Sequence, residues 1–348
     1  MKVGIHKGRY GRISRFVELY RKILEYNKID HIILDSNDKI FWNKVNDLNL
    51  FIYRWLHHHD EHQLAKTIIP ILEKTLGINC FPNMKTCWHY DDKIRQYLLL
   101  RLQGYPMIRS WIFWDRKSAF EWANNDATYP VVFKLKNGAS SSNVMLVRNI
   151  KTAKKVINVM FTEGIISGRL PFFSTTRSKD FNLYKSIRSF GGSFLRRLKG
   201  EDSNSYWQIE KNYVYFQEFM PGNEYDTRVT VIGDRAFAFR RMNRKNDFRS
   251  SGSGLISYDT DKINTLFLKI AFKISKDQNY QSMAYDFLYG KNREVQFCEC
   301  SYDYVDTAIF RCPGYWDSNL EWHAGNYWPQ FFHLVDALND PTLKQPEI

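Results

Sequence analysis

The stretch "YPVVFKLKNGASSSNV", Tyr129 to Val144, decides how the chain reads. An apolar run carries Lys134 in its middle, and a Gly-Ala-Ser-Ser-Ser segment follows at once. Burying an ammonium without a partner is costly. Small residues behind a strand leave backbone N–H groups free to cradle phosphate. Lys134 is therefore either a phosphate ligand or an edge-strand lysine whose stem is buried and whose head reaches water. The stretch alone leaves both readings open.

At 348 residues the chain should hold two or three structural units, and 44% hydrophobic with 16% aromatic residues suffices for a sizeable core. No apolar run approaches the roughly 18 residues of a membrane span, and "MKVGIHKGRYGR" has no apolar signal region. The five scattered cysteines suggest free thiols in a reducing cytoplasm. A formal net charge of +13 predicts an anionic partner. Nucleic acid is not expected, because no zinc-finger spacing, aromatic RNA-binding motif or recognition helix appears.

Alternating strand and helix patterns over 1–90 predict an open α/β domain, with "HQLAKTIIPILEKTLG" as a helix capped at Gly77. Residues 91–214 read as a second unit, opened by the helix "DDKIRQYLLLRLQGYP" and containing a basic insert over about 168–211. The insert includes "YKSIRSFGGSFLRRLKG", which could lie on a membrane surface, grip an anionic acceptor, or be a solvated face. Residues 215–348 form the third unit. Its strands "YDTRVTVIGDRAFAFRRMNR" follow a Pro-Gly turn, and "SMAYDFLYG" with "NREVQFCECSYDY" reads as a hairpin.

Chemistry-bearing residues fall into an order along these elements. Lys93 opens a helix, Lys134 lies in the strand, and the Gly138–Ser142 loop follows. "FQEFMPGNEYDTRV" supplies Gln217, Glu218 and Glu224 beside a turn, and "RRMNRKNDFRSSGSG" supplies Arg240, Arg241, Arg244 and Arg249. Asp286 and Glu299 sit on the two strands of the hairpin. Phosphoryl transfer from ATP needs such a set: lysines for the phosphates, a Gly/Ser cover, and paired carboxylates for Mg²⁺. Arginines suit an anionic acceptor and an acyl-phosphate intermediate.

Over Lys93 to Ser301 the sequence resembles the ATP-grasp superfamily. "DDKIRQYLLLRLQGYP" and "YPVVFKLKNGASSSNV" resemble the ATP-contacting helix and the phosphate loop of D-alanine–D-alanine ligase. Leu135 stands where those proteins have a proline. "FQEFMPGNEYDTRV" and "RRMNRKNDFRSSGSG" are similar to RimK-type glutamate ligases, which share a Gln-Glu-Phe hinge, Asp-x-Arg and Asp-Phe-Arg. The resemblance implies an ATP-grasp fold: an open α/β N-terminal domain, a small lid, and a larger antiparallel α+β domain. It implies that Lys93, Lys134, Gly138, Ser140 and Ser141 hold phosphates and that Gln217, Glu218 and Met220 form the adenine hinge. Glu224 would take the ribose, and Asp286 and Glu299 would bind Mg²⁺. Family members end the last strand with Glu-x-Asn, whereas this chain reads Glu299-Cys300-Ser301, so Ser301 or Asp303 must compensate or water fills the position. Arg228, Arg241 and Arg249 would serve the acceptor carboxylate. The resemblance thereby implies that Lys134 is a phosphate ligand rather than an edge-strand lysine.

The expected activity is carboxylate–amine ligation in the cytoplasm, releasing ADP and phosphate. The whole-chain pattern, including "FPNMKTCWHYDDK", resembles ATP-grasp proteins associated with bacterial capsule or O-antigen synthesis. With the positive charge, this suggests an amino acid or amine joined to a hexuronic-acid carboxylate, with the insert near the inner face of the membrane. A saccharide kinase and a non-catalytic module binding an anionic polymer use the same parts. His57-His58-His59 with His62 reads as a polar turn, since three consecutive histidines cannot all face one ion. Trp316, Trp322 and Trp328 read as core residues.

Overall fold

Apolar strands too short to alternate in polarity open the chain, and they pair in parallel. β1 (Lys2–His6), β2 (Asp30–Leu34), β3 (Leu50–Ile52) and β4 (Asn79–Phe81) form a sheet in the order β2-β1-β3-β4. α1 (Arg15–Tyr26), α2 (Phe41–Val45), α3 (His59–Lys74) and α4 (Met84–Cys87) connect and cover it. Ser14 caps α1 by accepting the Val17 amide, which satisfies one of the otherwise orphaned first-turn donors. α3 ends on Thr75, and Gly77 takes its left-handed φ of +68° beyond that cap. The computed structural model describes residues 1–8, 13–56, 58–138, 143–167, 208–245 and 247–347. His57, Ser140, Ser141 and most of the basic insert lie outside these residues.

The second layer begins with α5 (Lys93–Leu102), whose N-cap Asp92 accepts the Arg95 amide. β5 (Ser110–Phe113), α6 (Arg116–Asn125), β6 (Val131–Lys134), β7 (Val144–Val147), α7 (Ile150–Met160), β8 (Ile165–Ile166), β9 (Ile209–Glu210) and β10 (Val214–Glu218) follow. Four of these strands make an antiparallel sheet in the order β5-β10-β6-β7. α6 and α7 bury Trp122, Ala123, Val156 and Ile157 in a core shared with Phe133 and Phe216. The division drawn at 214/215 runs inside β10, which completes this sheet.

The third layer comprises β11 (Tyr225–Ile232), β12 (Arg235–Met242), β13 (Ile256–Ser257), α8 (Thr265–Gln278), β14 (Ser282–Tyr289), β15 (Val295–Ser301), α9 (Asp306–Phe310), β16 (Gly314–Asp317), β17 (Trp322–Ala324) and α10 (Pro329–Leu338). Its antiparallel sheet runs β15-β14-β11-β12-β16-β17, with β13 added on β12. The β14–β15 hairpin forms as expected, and Asp286 stands directly opposite Glu299. The Pro221-Gly222 turn joins strands of two different sheets. One apolar cluster, including Phe51, Trp55, Tyr97, Phe267 and Tyr285, runs from the parallel sheet into this layer.

α10 returns to the first domain, where Leu334 packs with Val17 and Tyr20. His333 on α10 is pinned there, with Tyr20 and Tyr304 hydroxyls each 2.7 Å from one ring nitrogen. Burial holds His333 at about 3, and His6 and His89 at about 4. The unfolded chain takes up protons below about 6.5 that these native histidines refuse, so stability falls as pH drops below that value. Urea unfolding should show it between pH 7 and 5, with each histidine contributing at most about 1.4 kcal/mol per pH unit. A flat profile over that window would contradict their neutral burial.

Candidate functional site

The β5-β10-β6-β7 sheet and the larger antiparallel sheet line a cleft of about 790 Å³, partly open to solvent. Ile108, Val132, Val144, Met220 and Leu288 make an apolar slot beside the 218–223 hinge. Lys93, Lys134, Arg241, Asp286 and Glu299 crowd the other end. Such a shape suits a flat apolar ring with an anionic tail.

Lys134 ends β6 opposite Tyr215 and Val144, and only 8% of it is exposed. Its ammonium has no hydrogen bond or ion pair among the described residues. Lys93 lies nearby, donating to the Gly138 carbonyl at 2.9 Å and standing 3.7 Å from Glu299. Proton accounting orients Gln217 at the hinge. Ser110 Oγ donates to the Ile108 carbonyl, which leaves Tyr215 to donate to Ser110. Both hydroxyl oxygens then only accept, so Gln217 presents its Nε2 to them at 3.3 and 3.1 Å. The Gln217 amide oxygen is thus turned away from both hydroxyls. The Met220 amide makes no backbone hydrogen bond among the described residues.

Two cross-strand ion pairs floor the cationic end. Asp226 faces Arg241 across β11–β12, and Arg228 faces Asp286 across β11–β14. Arg228 grips Asp286 with Nε and Nη2 at 2.7 and 2.8 Å, and Arg241 grips Asp226 at 2.7 and 2.6 Å. Arg241 also reaches Asp286 at 2.7 Å, which ties the pairs together. Burial opposes ionisation of Asp286, but the two guanidiniums outweigh it and hold the carboxyl well below the usual range. Asp226 was not singled out from the sequence. Its signal was the Asp-x-Arg alternation, which places both side chains on one sheet face.

The remaining expected residues scatter around this core. Arg249 lines the cleft and pairs with Asp247, and Phe248 stacks edge-on with Phe219 beside them. The Glu218 carboxylate stands 3.7 Å from Lys291 across the hinge. Glu224 lies beyond Asn223 in a neighbouring depression with Tyr289 and Arg293. Ser301 Oγ donates to the Asp303 carbonyl at 2.7 Å and accepts its amide at 3.2 Å, so its hydroxyl is engaged in its own turn. Asp303 is drawn to Arg54 at 2.8 Å.

A second, larger cavity of about 1900 Å³ shares Lys93, Gly138, Arg241 and Glu299 with the cleft. Phe16, Arg54 and Tyr90 wall it from one side, and Phe239, Ile256 and Tyr258 from the other. Arg228 and Ser301 open onto it.

Mg²⁺ takes oxygen ligands, and Asp286 and Glu299 fit it. They are register partners, Glu299 is partly exposed, and Asp286 Oδ1 accepts only one hydrogen bond among the described residues. Other clusters carry less. Asp317, Glu321 and His323 are near one another, but Asp317 already accepts the Asn319 and Glu321 amides of its own turn. No metal-sized group forms around His58, His59 and His62 among the described residues. Trp316 packs edge-on against Trp322. All five cysteines are free, and burial pushes the Cys298 thiol up to about 12. No described helix is long and apolar enough to cross a membrane.

No protein-family model matches the sequence, and no curated protein does. Solved structures match the fold. N5-carboxyaminoimidazole ribonucleotide synthetase from Thermotoga maritima matches at TM-score 0.57 and 13% identity, over 100% of this chain and 78% of that one. D-cycloserine synthetase DcsG matches at TM-score 0.57 and 11% identity, over 97% and 99% of the two chains. The ATP-grasp ligase PsnB, complexed with minimal precursor, Mg and ADP, matches at TM-score 0.51 and 12% identity, over 89% and 92%. The parallel N-terminal sheet, the four-stranded lid and the antiparallel C-terminal sheet are those of the ATP-grasp fold.

Proposed function

We propose that the protein is an ATP-dependent carboxylate–amine ligase that works through an acyl phosphate. Lys134 carries this reading: a buried ammonium facing a cleft, with no hydrogen bond or ion pair among the described residues, favours an anion there. The ATP-grasp fold and the presence of ADP and Mg in the PsnB complex support ATP as that anion. Adenine would lie in the apolar slot against Met220, with the Glu218 and Met220 backbone and Gln217 reading its edge. Glu224 would take the ribose after a small movement of the hinge. The phosphates would reach Lys93, Lys134 and the loop of Gly138, Ser140 and Ser141.

Asp286 and Glu299 would hold Mg²⁺, which supplies charge neutralisation on the phosphates when bound. The acceptor would enter the larger cavity and present its carboxylate at the shared boundary, to Arg228 and Arg241, with Arg249 closing the nucleotide side. A carboxylate oxygen attacks the γ-phosphorus, and the bond to the β–γ bridging oxygen breaks to leave ADP. The amine then attacks the acyl carbon. A C–N bond forms, the bond to phosphate breaks, and the amine proton passes to water. Positioned charges carry the rate rather than a covalent protein intermediate.

For the acceptor we propose a hexuronic-acid carboxylate of a surface-polysaccharide precursor, coupled to an amino acid or amine. The +13 charge and the size of the second cavity, lined by Arg54 and Arg311, support a bulky anion. The basic, apolar-interleaved insert suits contact with a lipid-linked carrier at the inner membrane face.

Two experiments test this. Lys134→Met removes a buried charge that has no partner among the described residues, so the nucleotide-free protein should melt at the same temperature or higher. Stabilisation by a non-hydrolysable ATP analogue with Mg²⁺ should largely vanish, as expected for losing a charged hydrogen bond of about 1.5–3 kcal/mol. A large drop in nucleotide-free melting with the nucleotide effect intact would make Lys134 structural. The second follows ADP release against panels of uronic-acid saccharides and amines. Release should require both a carboxylate and an amine, whereas release with saccharide alone would indicate a kinase.

A further inference from the structure

The histidine-rich start of α3 and the turn before α5 meet at one residue that the phosphate chemistry does not itself use. Asp91 holds a left-handed φ of +52°, a conformation that glycine adopts at lower cost. Its side chain is only 7% exposed. One oxygen accepts the Gly138 amide at 2.8 Å, at the described end of the loop that follows β6. The neighbouring turn adds two bonds to the same short segment. The Lys93 amide donates to the Lys136 carbonyl at 2.8 Å, and its ammonium to the Gly138 carbonyl at 2.9 Å.

The other Asp91 oxygen faces His62 Nε2 at 3.6 Å. The orientation of that imidazole follows from its partners. The Trp55 indole N–H can only donate, and it lies 3.1 Å from His62 Nδ1. Nδ1 is therefore the acceptor, and the proton sits on Nε2, pointing at Asp91. Trp55 is held in turn by Tyr302, whose hydroxyl donates to the Trp55 carbonyl at 3.1 Å. A row of contacts thus runs from Tyr302, just beyond β15, through Trp55 and His62, whose Nε2 approaches Asp91 without reaching hydrogen-bond distance, to Gly138.

We infer that Asp91 is a positioning residue that fixes Gly138 for the phosphates, with His62 packed beside its other oxygen. This rests on the nucleotide reading of the cleft. A left-handed aspartate kept where glycine is easier, spanning a helix of one domain and a loop of another, is strain held at a functional site. Lys93 shares the turn, so the same geometry sets where its ammonium stands.

Asp91→Gly separates positioning from structure, because it relieves the backbone while removing the carboxylate. The nucleotide-free variant should melt at or above the parent temperature. Calorimetry should nevertheless show its affinity for a non-hydrolysable ATP analogue with Mg²⁺ falling about tenfold or more, the scale of one charged hydrogen bond. Hydrogen exchange at the Gly138 amide should speed up by at least about tenfold without nucleotide, since its acceptor is gone. Asp91→Asn keeps an acceptor oxygen and should hold affinity within about threefold, below half of such a bond. Unchanged exchange at Gly138 in the glycine variant would overturn the inference, as would parental affinity. A parent protein that binds no ATP analogue would sink the nucleotide reading instead, and the exchange measurement would still decide whether Asp91 holds the loop.

Discussion

One buried carboxylate shared by two guanidiniums organises the cationic end of the cleft. Asp286 sits between Arg228 and Arg241, and Arg241 is held again by Asp226. Leaving any member of such a set alone would strand an uncompensated charge in a site that water hardly reaches. The four side chains therefore lock the relative positions of β11, β12 and β14, and they fix both guanidiniums before any ligand arrives. Electrostatic catalysis depends on charges held in place in this way, since nothing then has to reorganise during reaction. Lys134, which lines the same cleft, is the complement: a buried cation with no ion pair among the described residues.

The floor of the cleft also explains how two cavities share one boundary. Arg241, Lys93 and Glu299 face both the narrow cleft and the larger cavity. Three sheets converge there, and the apolar cluster linking the parallel sheet to the large antiparallel sheet keeps the first domain seated against it. The larger cavity is thus built from residues of the first domain as well as the last, with Arg54 and Phe16 on one wall and Phe239 and Tyr258 on the other.

Much of the arrangement was legible in the sequence because its signals are local. A lysine inside an apolar strand, a Gly/Ser run behind it and a hairpin with one carboxylate per strand each follow from a few consecutive residues. The Asp286–Glu299 pairing survives even a bulge after Asp286. What was not legible depends on which strands lie side by side. The Asp226–Arg241 and Arg228–Asp286 pairs need the register of three strands, and β10 reads alike whether it joins the lid or the large sheet. Ser301 shows the same limit in miniature, since its turn with Asp303 decides where the hydroxyl goes. His62 looked like part of a surface turn, yet its neighbours Trp55 and Asp91 place it inside the molecule.

The account's central claim is that the cationic cleft is a nucleotide site. Calorimetric titration of the full chain with a non-hydrolysable ATP analogue, with and without Mg²⁺ and at two salt concentrations, tests it most directly. The account predicts one molecule bound per chain, tighter with Mg²⁺ and weaker at high salt, as charge-dominated contacts require. Absence of binding at millimolar nucleotide, or binding indifferent to both Mg²⁺ and salt, would contradict it.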